Sequence, residues 1–230
     1  MSSPFEGWCL PLRAWEIDPD GAAGPLPPLL RVPLVSSPFG PRERNTYSGG
    51  WHLGVDWSTR WQEGDPISGT CAVTRVASGR RFGFVTPRNT LVLAVGPGEV
   101  IQSGQNSRGW GVVIDHGNTV LTWYQHLRFW DPKLDGQFQI PTPKIGAVVK
   151  AGDVLGFAGF DTADQRKNVG REGFRHLHWA WLFRSRTYKA TTRYHDLGRT
   201  LGLGFRAIAL DPERYIPLLR QLSTTDPIQW

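Results

Sequence analysis

Cysteine is scarce in this sequence, with only Cys9 and Cys71 in 230 residues. Two cysteines make no disulfide framework, although they could form one bridge. Neither belongs to a C-x-x-C pair, which argues against a thiolate zinc site. No apolar run reaches the roughly 18 residues that a membrane-spanning helix needs. The first thirty residues lack a basic start followed by an apolar h-region, so the expectation is of no standard secretory leader in this chain. Internal repeats and low-complexity tracts are missing. So is H-E-x-x-H, and with it the glutamate base of the zinc proteases that carry that motif.

What is present describes a globular, β-rich protein. Hydrophobic residues make up 40% and charged residues 20%, a balance that excludes a disordered chain. Glycine (27) and proline (18) are plentiful and the apolar runs are short, which favours strands and turns over a helical bundle. Eleven tryptophans are many for this length, and large rings with one polar handle belong in a core or along groove walls. The net charge of +6 and pI near 9.7 suit polyanionic partners, either nucleic acid or anionic cell-wall polymers. A generally basic surface with no specific partner is the alternative, because the Lys and Arg residues form no dense run.

Along the chain, residues 1–34 contain a proline-rich stretch, GPLPPLLRVP from Gly24 to Pro33, and read as an N-terminal arm laid against the domain. From Val35 to about Phe183 short β-branched or aromatic runs alternate with Gly, Pro, Asn and Asp. In Gly111–Leu127 two such runs flank Gly117-Asn118, a two-residue hairpin turn. Strict alternation in the second run puts Val120, Thr122, Tyr124 and His126 on one face, with Leu121, Trp123, Gln125 and Leu127 on the other. Ala147–Gly159 reads as two short strands bent at Ala151-Gly152, and Arg175–Phe183 as an aromatic-rich strand. A short helix is predicted near Asp211–Leu222, with Asp211 as cap and Pro212 in the first turn.

The six histidines carry the functional signal. His52 and Asp56 form H-x-x-x-D, and His176 and His178 form H-x-H. Residues two or four apart on a strand share a face, so each pair can present both side chains to one site. Imidazole nitrogens and a carboxylate oxygen suit Zn²⁺, and three protein ligands leave a position open, as hydrolytic zinc sites require. Either motif alone is commonplace: H-x-x-x-D arises by accident, and H-x-H is often a hydrogen-bonded surface pair. Together with His126, which ends a third strand-like run, they form a more specific constellation. Spacing leaves open which of His176 and His178 would be the ligand. His116 sits at the hairpin turn, roughly 23 Å of strand away from His126, and is expected to bond locally. His195 reads as a solvated loop residue beside Tyr194 and Asp196. Without a suitably placed glutamate, a non-ligating histidine can serve as general base, since its pKa lies near working pH.

Taken in order, SPFGPR (37–42), HLGVD (52–56), VVIDHGN (112–118), WYQHL (123–127), VKAGDVLGFAG (149–159), HLH (176–178) and DPERYI (211–216) resemble the lysostaphin/LytM-like M23 metallopeptidases. The resemblance covers about residues 35–183 and that last stretch. It implies an antiparallel β-sheet whose flanking loops wall a narrow groove, with zinc held by His52, Asp56 and His178. It implies that His126 and His176 are the catalytic pair that positions or deprotonates the attacking water. Tyr47 resembles, by loop position alone, a tyrosine that donates to the oxyanion. The implied substrates are peptide crosslinks or stem peptides of bacterial peptidoglycan, and the protein is expected to be a monomer acting outside the cytoplasm. A phage lysin, held in the host cytoplasm until lysis, would equally suit a chain without a leader. The chain departs from the compact family pattern in residues 1–34 and in insertions near 68–90, 160–175 and 184–204 of a domain spanning 35–230. A non-catalytic member of the same fold, binding wall or regulating an amidase, is the first rival, although such members have typically lost metal ligands. A nucleic-acid-binding β protein is the second, but the aromatics track the histidine motifs instead of forming a basic, aromatic face.

Overall fold

The structure, a computed structural model, describes residues 7–15, 30–31, 33–42, 50–62, 74–77, 80–86, 90–106, 109–129, 140–159, 175–185 and 196–214. Sixteen strands lie among them. The first eight are β1 (Leu12–Trp15), β2 (Leu30–Arg31), β3 (Pro33–Ser37), β4 (Gly40–Pro41), β5 (Trp51–His52), β6 (Val55–Gln62), β7 (Thr74–Ala77) and β8 (Arg80–Val85). The others are β9 (Leu91–Leu93), β10 (Gly98–Asn106), β11 (Gly109–Asp115), β12 (Val120–Arg128), β13 (Val148–Val149), β14 (Val154–Ala158), β15 (Leu177–Ser185) and β16 (Arg206–Leu210). Fourteen of these join one branched sheet, while β4 and β5 pair separately. Every pairing described is antiparallel, the mainly-β architecture that the short runs and dense turn residues predict.

The β11–β12 hairpin forms where expected, but its turn is displaced by one residue. Val120 N–H donates to the Gly117 carbonyl at 2.9 Å, so Asn118 and Thr119 are the central pair. Their φ angles are 48° and 69°, the left-handed values that such turns demand, and Gly117 has φ 77°. The Gly117 N–H also donates to Asp115 Oδ1 at 2.9 Å, which pins the strand end before the turn begins.

Strand alternation sorts the core into two apolar clusters. Trp57, Tyr124, Trp179 and Trp181 belong to one; Leu121, Trp123, Ala180 and Leu182 belong to the other. The alternation of β12 fails at its last turn. Trp110 pairs with Leu127 but Gly111 pairs with Gln125, so His126 is an extra, bulged residue. Its φ is 68°, left-handed in a residue that has a Cβ. Leu127 therefore joins the Tyr124 cluster. The expectation that His126 shares a face with Val120, Thr122 and Tyr124 is corrected: the bulge turns its ring toward His176 and His178 instead.

The sheet branches at this same residue. Up to Gln125 the edge of β12 pairs with β15; from Leu127 it pairs with β14. A bridge between Gly159 and His176 joins the two departing strands. A Cβ on Gly159 would lie 2.5 Å from the His126 carbonyl oxygen, so only glycine lets the strands approach so closely here.

The N-terminal segment is more than an arm against the domain. Its β1 inserts between β2 and β9, and Trp8, Leu10 and Leu12 are buried in the first cluster. Trp8 stacks on Trp181 with ring centroids 5.4 Å apart. Within residues 68–90, β7 and β8 extend the sheet, β8 pairing with β6 and β7 with β8. Residues 160–174 and His195 lie outside the described residues, as do Tyr47 and Cys71. In the 184–204 segment, Leu197 and Leu201 are buried against the second cluster. The helix predicted near Asp211–Leu222 is a single 3₁₀ turn, Pro212–Arg214, over the described residues. Asp211 does cap it, accepting from the Glu213 N–H at 3.0 Å.

Candidate metal centre

Main-chain pairing sets the site. His178 on β15 lies directly opposite Asp56 on β6 and, on its other side, opposite Gln125 on β12. Directly opposed residues share a face, so the Asp56 carboxylate and the His178 ring meet without help from any loop. His52, on β5, pairs with Gly40 of β4. Its Nδ1 is 2.7 Å from the Pro38 carbonyl, to which it donates. That hydrogen bond leaves the Nε2 lone pair facing the site.

Three atoms that could ligate a metal converge: His52 Nε2, Asp56 Oδ1 and His178 Nδ1. The separations are 2.9 Å between the two nitrogens and 3.1 Å from each nitrogen to the oxygen. These are the three residues that the family resemblance implied as ligands, spacing having left His176 and His178 as alternatives, and they form the one such group among the described residues. The donor set fits a divalent cation on chemical grounds. A carboxylate and imidazole lone pairs crowded to about 3 Å repel one another unless a cation or a proton sits between them. A tetrahedral zinc with ligands at about 2.0–2.1 Å would hold the three atoms about 3.3 Å apart, a small relaxation from the distances seen.

The electrostatics point the same way. Burial pushes the His178 pKa down to about 4, despite its hydrogen bond to Asp56, so the ring is neutral at ordinary pH. Burial alone would raise the Asp56 pKa, but the charge of His176 and hydrogen bonds with His178 and His52 outweigh it. The carboxyl is held well below its usual range and stays ionised. An anionic oxygen and a neutral imidazole are the protonation states that metal ligation needs.

His176 is the more open histidine of its pair. Its side chain is 21% exposed against 8% for His178, and its Nε2 is 3.8 Å from Asp56 Oδ1. The His126 ring stands 4.7 Å from that of His176 and 6.1 Å from that of His178. The structure thus brings His52, Asp56, His126, His176 and His178 together. It keeps His116 elsewhere, bonded to the Pro97 carbonyl and the Thr122 hydroxyl, each at 2.7 Å. Burial depresses the pKa of His116 to about 4 as well, a reminder that a neutral buried histidine need not be a ligand.

Two residues of the site escape a reading of histidines alone. Gly54, inside HLGVD, faces the His178 ring: a Cβ there would lie 2.8 Å from His178 Nε2 and 2.6 Å from the Trp179 carbonyl oxygen. The carbonyl belongs to the paired backbone of β15 and cannot yield. Gly54→Ala is therefore expected to destabilise the fold by about 1–3 kcal/mol and to displace the ring, which, if this group is a zinc site, weakens zinc binding by roughly 10-fold or more. Chemical denaturation and chelator competition read the two effects, and unchanged zinc affinity would refute the second. Arg42, inside SPFGPR, donates from Nη2 to Asp56 Oδ2 at 2.9 Å and to Ser37 Oγ at 2.8 Å.

The model of peptidase family M23 matches residues 78–189. His126, His176 and His178 fall inside that stretch, and His52 and Asp56 precede it. Among solved structures, the chain is similar to the catalytic domain of the antimicrobial peptidase lysostaphin from Staphylococcus simulans. The identity is 18% and the TM-score 0.43, over 83% of this chain and 92% of that one. It is also similar to a zinc-containing peptidase from Vibrio cholerae, with 24% identity and TM-score 0.40, over 65% of this chain. The match spans 33% of the length of the Vibrio protein. A third similar structure is the SpoIIQ–SpoIIIAH pore-forming complex, at 14% identity and TM-score 0.45, covering 92% of this chain and 91% of that one.

Proposed function

From the match of residues 78–189 to the model of peptidase family M23, we propose that the chain is an M23 peptidase, a zinc-dependent endopeptidase cutting peptide crosslinks or stem peptides of bacterial peptidoglycan. The observation that carries the reading is the convergence of three lone pairs from His52, Asp56 and His178 within 3.1 Å, with His126 and His176 beside them. A cell-wall substrate implies action outside the cytoplasm. Among the described residues no helix is long and apolar enough to cross a membrane.

His52, Asp56 and His178 would hold the metal. When bound, it supplies Lewis acidity toward the scissile carbonyl and toward water. The chain's own residues supply the rest. His178, buried between Gly54 and Trp123, fixes the ligand set in place. His126, buried, and His176, partly exposed, stand as paired imidazoles beside the triad, where one can take the proton of the attacking water and the other steady the developing oxyanion. The proton then passes to the leaving amine. Because His176 is the more exposed of the two, it is the better placed to exchange that proton with solvent or substrate.

The test is digestion of purified walls of several chemotypes by the zinc-loaded protein, with the masses of soluble products recorded. Peptide fragments bearing new amino termini are expected, and a chelator should suppress them. Wall binding without cleavage by a protein carrying stoichiometric zinc would refute the reading, as would release of sugar-chain fragments alone.

A further inference from the structure

The segment 36–42 wraps both N-terminal ligands. The bulge of β3 between Val35 and Ser37 turns two successive serines toward Asp56. Ser36 Oγ donates to the Asp56 main-chain carbonyl at 3.0 Å. The Ser37 Oγ accepts from Arg42 Nη2, and that same nitrogen reaches Asp56 Oδ2. Pro38 supplies the carbonyl that orients His52, and Gly40 pairs with His52 across β4–β5. One short stretch of chain thus fixes the aim of two ligands.

Within it, the two oxygens of Asp56 are treated differently. Oδ1 faces His52 Nε2 and His178 Nδ1, while Oδ2 is taken by Arg42. Side-chain exposure is 24% for Arg42 and 15% for Asp56, so the pair is only partly screened by water. We propose that Arg42 is a positioning residue that restricts Asp56 to ligation through a single oxygen and so keeps a coordination position open for substrate. The proposal rests on the reading of the triad as a metal site and goes beyond it in assigning a role to a residue outside the triad.

Two effects of losing Arg42 oppose each other. Removing a cation favours a bound cation, whereas freeing Oδ2 lets the carboxylate rotate among orientations, only some of which aim an oxygen at the other two donors. Orientation decides the outcome, because loss of an outer-shell partner typically weakens metal binding by roughly 10- to 100-fold.

Cobalt reports the coordination directly. Wild type, Arg42→Ala and Arg42→Lys are loaded with Co²⁺. Visible absorption at saturation, Co²⁺ affinity by chelator competition at one pH, and thermal melting are then recorded. Wild type should show the intense visible bands of low-coordinate Co²⁺. Arg42→Ala should remain folded and bind stoichiometric Co²⁺ about 10- to 100-fold more weakly, with fainter bands as a second carboxylate oxygen enters. Arg42→Lys, which keeps the charge and a multiple-donor head, should fall between the two in affinity. A wild-type spectrum and affinity in Arg42→Ala overturns the proposal, and so does a lysine variant no better than alanine. Should the alanine variant melt below the assay temperature, Arg42→Lys decides: weaker binding than wild type upholds the role and equal binding refutes it. Failure of folded wild type to take up Co²⁺ defeats the metal reading itself, and is told apart because it shows before any substitution.

Discussion

Replacing His126 with alanine is expected to lower hydrolysis of a crosslinked wall peptide by about 10²–10⁴-fold, the usual contribution of a positioned acid–base group. Zinc content should not change, because His126 supplies none of the three converging ligand atoms. Steady-state kinetics with metal analysis on the same preparation checks both halves. Full activity in His126→Ala would remove the residue from the chemistry. The backbone adds a second, independent expectation. His126 sits at φ 68°, where a residue with a Cβ pays about 1–2 kcal/mol relative to the right-handed region. His126→Gly should be as inactive as the alanine variant, yet more stable than it by about 1 kcal/mol in denaturant unfolding. A glycine variant no more stable than alanine would show that the bulge carries no strain.

His178→Ala is expected to fail differently, through loss of the metal. The ring lies opposite Asp56, between β6 and β12, and places its Nδ1 3.1 Å from Asp56 Oδ1. Zinc stoichiometry should drop close to zero and hydrolysis with it. Ligand binding stabilises a folded state by mass action, so added zinc should raise the melting temperature of wild type and leave the variant unmoved. Retention of tightly bound zinc by His178→Ala would transfer the ligand role to another residue, His176 being the first candidate. The two substitutions therefore separate proton transfer from metal retention by a single measurement, the zinc content.

How far the site could be read from sequence depended on which physical rule governed each residue. His176 and His178 followed strand periodicity, so H-x-H translated into a shared face, whereas His52 stands on β5, in the separate two-stranded sheet, and meets Asp56 of β6 across the bend at residues 53–54. His126 did not follow strand periodicity, because its orientation is decided by a bulge that involves Trp110 and Gly111 on the neighbouring strand. No period counted along β12 contains that information; only the pairing does. Arg42 was visible as part of SPFGPR, but its contact with Asp56 depends on a second bulge, in β3. The hairpin at Gly117-Asn118 was legible from turn chemistry, and its one-residue displacement follows from Asp115 holding the Gly117 N–H. Trp8, Leu10 and Leu12 looked like part of a proline-rich arm, yet they complete the core because β9 offers β1 an edge to pair with.

The pairing of β15 with both β6 and β12 also fixes when the site can come into being. Its ligands span 126 positions of chain, from His52 to His178. At about 5–20 residues per second of synthesis, roughly 6–25 s separate the emergence of the first ligand from that of the last. β6 and β12 have no β15 to lie against during that interval, and closing so long a loop has its own entropic cost. A half-made chain holds His52 and Asp56 without His178, so the three donor atoms cannot yet converge. The donor set is complete only once β15 has docked.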